Sequence, residues 1–263
     1  MLTRPRVCYK RFPEGKGMRC RFSLSAVCFV TLAFLAAGSQ VASAQPRLDV
    51  FVTPFPNAPF SGVIQVQRTF VDKDGTVSSY KTMREIGRDT QGRIFNEVRT
   101  LEPLSFSGQP DVRGILIYDP QTRTSTHLDP KARTFTTGTV NRPPETAPPA
   151  LLYASPTGTN LAPNPYLKEE DLGVHEIDGV SAHGVRETQI IPANTSGAGR
   201  EFQVTDEFWY SQDLRINLII RHNDPRTGSV AMTVTHITRT DPDPSRFQIP
   251  EGYTPADSVK GTD

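Results

Sequence analysis

From Phe202 to Thr238 apolar and polar residues alternate with the period of two that a strand with one buried face requires. Phe202, Val204 and Phe208 share a parity in the first run, Ile216, Leu218 and Ile220 in the second, and Val230, Met232 and Val234 in the third. Between the second and third runs stands Asp224-Pro225-Arg226-Thr227-Gly228. Asp and Pro open a type I turn there, and Gly supplies a left-handed exit. A five-residue loop predicts Ile220 opposite Met232 and Leu218 opposite Val234, with both apolar sets on one face. In the preceding connection, a two-residue loop at Gln212-Asp213 would cross the faces by setting Phe208 opposite Asn217. A three-residue loop, Ser211 to Asp213, is expected instead, pairing Phe208 with Ile216 and Val204 with Ile220. Trp209 then turns to the second face with Glu207 and Gln203, beside Ile219, so that face should be partly packed.

Upstream, the same pattern predicts a meander. A strand from Phe60 to Val71 turns at Asp72-Lys73-Asp74-Gly75, returns over Thr76 to Arg88, turns at Asp89 to Gly92, and continues from Arg93 to Leu101. Gly114 to Tyr118 is the most apolar run and is expected to be central. Asp119-Pro120 and, ten residues on, Asp129-Pro130 begin two similar turns, each ending Arg-Thr. Thr134 to Val140 is expected to be the last strand of this part. Leu172 onward reads as sheet again, with a hairpin at Asp178-Gly179 of type I′ chemistry. A single helical turn is allowed between Pro165 and Asp171. Two stretches lack periodicity: Gln45 to Pro59, read as an extended lead-in, and Asn141 to Tyr166, which holds seven prolines. Proline excludes the latter from central strands. It reads as a surface loop or, through Leu151, Leu152 and Tyr153, as a lid over an apolar pocket.

The first 44 residues read as an address. Ala26 to Ala37 is apolar but short for a membrane span, Arg19 and Arg21 precede it, and Ala42-Ser43-Ala44 fits a signal-peptidase site. A start at Met18 would give a signal of ordinary length. All three cysteines, Cys8, Cys20 and Cys28, fall in this segment, so the remaining chain has no thiol chemistry. Of the 29 Lys and Arg, 7 lie in the leader, and of the 28 Asp and Glu only 1, which leaves a net charge of −5 beyond it. That balance argues against nucleic acid as a partner. One β domain, residues 60–263, in the periplasm or outside the cell and with no membrane span, is the expectation.

Candidate chemistry is sparse. The pairing above sets His222 opposite Val230 and His236 opposite Ile216, about 20 Å apart along the ladder, too far to share a metal. His175 falls opposite Ala182, which turns it away from His183. Glu169-Glu170-Asp171 and Asp206-Glu207 are neighbours that a strand points to opposite sides, whereas glycoside hydrolysis needs two carboxylates flanking one bond. No nucleophile elbow, zinc-binding helix or phosphate loop is present. We therefore assign no catalytic residue, no metal and no cofactor.

Three pieces of sequence carry a resemblance. Ile115-Leu116-Ile117-Tyr118-Asp119-Pro120 is similar to the Tyr-Asp-Pro turn of LolA-like periplasmic lipoprotein carriers. Phe208-Trp209-Tyr210 leading to Leu214 resembles the tryptophan strand of that superfamily, and Phe247-Gln248-Ile249-Pro250-Glu251-Gly252-Tyr253 its closing segment. The match spans Phe60–Leu128 and Leu172–Tyr253, and it is closer still to exported proteins of soil bacteria. It implies a mostly β fold with little helix: a strongly curved antiparallel sheet, an unclosed half-barrel that holds acyl chains. The superfamily's amphipathic N-terminal helix has no counterpart in Gln45–Pro59, and its helical plug would be replaced by Asn141–Tyr166. The resulting expectation is a non-enzymatic protein holding a lipid or other hydrophobic small molecule on the concave face, lined by Phe208, Ile216, Leu218, Ile220, Met232 and Val234. The alternative is an envelope module holding a protein partner on a sheet edge or on the Trp209 face, with a hydrolase as the remote third.

Overall fold

The computed structural model describes residues 48–141, 164–197 and 199–256. The leader and the lid residues Leu151, Leu152 and Tyr153 lie outside the described residues. The meander forms as expected: β1 (Phe60–Val71), β2 (Val77–Arg88) and β3 (Ile94–Arg99) pair in turn. Gly75 and Gly92, both at φ 85°, supply the left-handed residue of each turn. A two-residue strand, β4 (Glu102–Pro103), returns to pair with β2, and β5 (Val112–Asp119), β6 (Thr124–Asp129) and β7 (Thr134–Thr139) extend the sheet outward.

The two Asp-Pro turns use one device. The side chains of Asp119 and Asp129 accept bonds from the amides of Gln121 and Lys131 at 2.8 and 2.9 Å, and Arg123 and Arg133 close the turns at φ 55° and 53°. Asp224 repeats it, accepting from Arg226 N at 2.9 Å, with Gly228 in the positive-φ position.

The second half enters at the far side. β8 (Leu167–Ile177) and β9 (Val180–Ile191) form the Asp178-Gly179 hairpin, followed by β10 (Phe202–Ser211), β11 (Ile216–Asp224) and β12 (Gly228–Thr238). The possible helical turn between Pro165 and Asp171 is instead the start of β8: Lys168 to Asp171 pair with Thr188 to Val185. Cross-strand partners on β9 override what an acidic run suggests locally.

β12 pairs with β1, so the two halves meet mid-sheet, and β13 (Thr254–Pro255) joins β7 in parallel. The resulting 13-stranded sheet runs from β13 at one edge to β8 at the other without closing. β5 lies toward the β13 edge; β1 and β12 hold the centre that its apolar sequence had suggested for β5. The sheet is strongly curved. Arg88 on β2 donates to Leu214 O, in the β10–β11 connection, at 2.9 Å. In a flat sheet, strands that far apart in the order would stand about 15 Å from each other.

The predicted β11–β12 hairpin is present, with Ile220 opposite Met232 and His222 opposite Val230. That ladder ends at Ile219–Thr233, one step short of the Leu218–Val234 pair. Between β10 and β11 the register differs from expectation. Phe208 faces Ile220, not Ile216, and Thr205 faces Asn223. A bulge between Trp209 and Tyr210 skips Leu218, and the connection spans Gln212 to Arg215, with Arg215 at φ 53°. The slip is even, so the apolar residues keep their common face.

Two apolar cores lie on the two faces. Ile94 and Tyr118 join the larger one, whereas their neighbours Phe95 and Ile117 join a smaller one with Leu128 and Phe247. Adjacent strand residues point to opposite faces. The chain after β12 therefore crosses the back of the sheet. Asp241 accepts from Thr90 N at 2.7 Å, Arg246 pairs with Glu85 at 2.7 Å, and Phe247 enters the smaller core.

Candidate functional site

The six side chains expected to line a ligand site come together on the inner face. Phe208, Ile216, Leu218, Ile220, Met232 and Val234, none of the six more than 3% exposed, belong to one cluster with Phe60, Ile64, Val66 and Ile86. The registers align Val66, Met232, Ile220 and Phe208 in a single row across four strands. At about 4.8 Å per strand this row is about 14 Å long.

The lead-in belongs to the same cluster. It is extended, as expected, but it is not without pattern: Val50, Val52 and Pro54 are buried while the residues between them are not. Val50 and Val52 pack into the larger core, with Leu48 against its margin. The alternation is short and falls among prolines, which hid it in the sequence. The lead-in is not a strand of the sheet. Its described attachments include Asn57 N to Thr90 O at 2.9 Å and Thr53 Oγ1 to Arg215 O at 3.1 Å.

Two arginines on β2 hold it as well. Arg88, opposite Phe60, is fully buried. Its guanidinium donates to Thr53 O at 2.8 Å, to Ala58 O at 2.7 and 2.9 Å, and to Leu214 O at 2.9 Å. These partners are neutral carbonyls. Burial, together with the charge of Arg215, pushes the Arg88 guanidinium down to about 10. Arg215 in turn stacks on Phe55, its guanidinium carbon 3.6 Å from the ring centre. Arg84, opposite Ile64, pairs with Asp49 of the lead-in through both terminal nitrogens, while its Nε is buried without a hydrogen-bond partner.

Sequence reasoning missed both arginines, because a polar-faced return strand gives no sign that Arg84 and Arg88 share the parity of Ile86. The four-residue turn at Asp72–Gly75, carried forward as a register, sets Gly87 opposite Phe60; the connection in the structure is one residue longer, Asp72 to Thr76, and that step brings Arg88 there instead.

The second face beside Trp209 is partly packed, as expected. Its indole donates to Glu207 Oε1 at 2.8 Å, and the His175 ring meets it edge-on at 4.9 Å. Glu207 also accepts from Arg186 at 2.9 Å and from Arg221. Burial alone would raise its carboxyl, but the bonds from Trp209 and Arg186 and the charge of Arg221 outweigh this and hold it below the usual range. The other histidines have local partners: His222 with Asp206 at 2.7 Å, His183 with Asp171 at 2.8 Å, His236 with Thr235 at 3.1 Å and His127 with Ser125 at 3.2 Å. Asp206 and Glu207 point to opposite sides, which gives no paired-carboxylate geometry.

Two clefts open on the surface. One, of about 370 Å³, lies beside Ala58, Asp213, Leu214 and Arg239; the other, of about 240 Å³, lies beneath the C-terminal crossing among Glu85, Gly87, Phe95 and Arg246. Neither is lined by the six inner-face residues.

An open, curved antiparallel sheet with an apolar inner face is thus the class of scaffold this chain builds. Among solved structures it is similar to MucB, at 11% identity and a TM-score of 0.36 over 75% of this chain and 59% of that one. It is also similar to a LolA superfamily protein from Nitrosomonas europaea, at 12% identity and a TM-score of 0.29 over 75% and 92% of the two chains. LprF from Mycobacterium bovis follows at 13% identity and a TM-score of 0.28 over 71% and 90%. The chain spans little more than half the length of the MucB structures. No protein-family model matches it, and no curated protein matches it.

Proposed function

We propose that this protein is an exported, non-enzymatic binder that takes a lipid or acyl chain onto the inner face of its sheet, in place of the lead-in. The supporting observation is that the apolar row Val66–Met232–Ile220–Phe208 is packed with a segment, Leu48 to Pro59, that is no strand of the sheet. An extended chain threading side chains into a trough presents much the same surface as an acyl chain. The row's length of about 14 Å is close to the depth of one leaflet, half of a hydrocarbon core about 30 Å thick. Native mass spectrometry of the protein recovered from its own cell envelope tests this. Adducts of lipid mass that organic extraction removes are the expected result, and uniformly ligand-free spectra would overturn it.

A second reading, an envelope protein partner, is favoured by the apolar tip of the β1–β2 hairpin. Phe70, Val77 and Leu104 are each more than 40% exposed there, with Phe70 edge-on to Tyr80 at 5.8 Å. Crosslinking in cells from a photoreactive residue at Val77 would capture one stable partner under this reading.

A further inference from the structure

We infer that the ligand is an acyl chain ending in a carboxylate, and that Arg84 is its head-group site, occupied in this structure by Asp49 of the protein's own lead-in. This rests on the acyl-binding reading and narrows it to one ligand class. The lead-in is laid out as such an amphiphile would be. Asp49 places one carboxylate on both terminal nitrogens of Arg84, and Val50 and Val52, immediately after it, enter the apolar core. A bidentate guanidinium–carboxylate pair is the geometry a fatty-acid head would reproduce.

The position of Arg84 supports this. It stands on β2 opposite Ile64, in line with Ile86, and Thr82 two residues before it lies opposite Val66, at the head of the row that runs through Met232 and Ile220 to Phe208. A chain anchored at Arg84 therefore starts at one end of the trough. The Asp49 pair also leaves capacity unused, because the Arg84 Nε is buried with no hydrogen-bond partner. A free ligand carboxylate, unconstrained by a peptide backbone, can instead take the edge formed by Nε and one terminal nitrogen. A buried donor left unsatisfied is costly, so an occupant that satisfies it is favoured over one that does not. Asp49 itself is half exposed and lies before the buried residues, where exchange with a competing carboxylate does not first require the core to open. A neutral or cationic head group has no such claim on Arg84.

The experiment compares cis-parinaric acid, a fluorescent fatty acid, with its methyl ester on the full exported protein and on Arg84→Gln, Arg84→Lys and Asp49→Asn. Arg84→Gln is expected to lower the affinity for the acid relative to the ester by about tenfold or more, the scale of a lost charge-assisted bond. Arg84→Lys should restore part of that loss. Asp49→Asn removes the internal competitor and loosens the lead-in, so it should tighten the acid and, by a smaller factor, the ester. Equal effects on acid and ester, or an unchanged affinity in Asp49→Asn, would overturn the assignment of Arg84 and leave the acyl-binding reading standing. Should Arg84→Gln fail to fold, Asp49→Asn decides alone. Failure of both probes to bind any variant would overturn both readings together.

Discussion

Gly184 lies directly opposite Trp209 in the β9–β10 ladder, and a Cβ placed on it would come within 2.8 Å of three indole carbons. The indole covers the glycine and is held there by its bond to Glu207 and by His175. Gly184→Ala should therefore destabilise the protein by about 1–3 kcal/mol, the usual cost of overpacking. Trp209 is the single tryptophan of the chain, so its emission reports the displacement during denaturant unfolding. An unchanged midpoint and unchanged emission would mean that the ring moves aside freely.

Glu207 sets the acid limit of the same region. Its carboxyl is depressed in the folded protein, so the unfolded state binds the proton more tightly. The stability this contributes is fully present above the ordinary glutamate range and is lost as pH falls through the depressed value. Glu207→Gln should lower stability at neutral pH and flatten the acid limb of the unfolding profile below about pH 4.5. A parallel acid limb in wild type and variant would argue against it.

Arg88 fastens the lead-in to the sheet. Replacing it with Met leaves the carbonyls of Thr53, Ala58 and Leu214 without that donor, in a buried setting. The expected loss is about 3 kcal/mol, since each orphaned acceptor costs about 1–3. Limited proteolysis should then cut first between Thr53 and Ala58. A digestion pattern identical to wild type would show that the lead-in holds without its clasp.

Val52→Asp probes whether the lead-in can leave. A carboxylate is excluded from the apolar core, so the segment should lift off and expose the trough. Uptake of an environment-sensitive hydrophobic dye should rise while far-ultraviolet circular dichroism keeps its β signature. Global unfolding, with the β signature lost, would instead make the lead-in an integral part of the core.

Phe247 pins the C-terminal crossing to the back of the sheet. Phe247→Ala should cost about 3–5 kcal/mol if the site does not collapse. Hydrogen exchange should quicken in β3 and β5, whose Phe95 and Ile117 it covers, and much less in β11.

The sequence disclosed those parts of the molecule in which local chemistry and face agree. Asp224-Pro225 and Gly228 fixed a turn, and parity then placed Ile220 against Met232. Parity could not separate Phe208–Ile216 from Phe208–Ile220, because both keep the apolar side chains together; a bulge at Leu218 decides between them. The start of β8 was hidden because Lys168 to Asp171 are charged, and their partners on β9 are distant in sequence from any signal they carry. The six trough residues were legible as one apolar wall, but not as a wall already covered. Arg88 was illegible for a simpler reason: its partners are main-chain carbonyls, which every residue has.

The pairing of β1 with β12 bears on how the chain comes to be folded at all. Thr235 Oγ1 reaches Val63 O at 3.2 Å across 172 positions of sequence. Contacts of such separation give a high contact order, and hence slow acquisition of the native state. The middle of the sheet cannot be completed until nearly the whole polypeptide has been delivered. Until then β1 offers an unsatisfied edge to whatever is nearby, so aggregation during biogenesis should be governed by how quickly the last strands arrive.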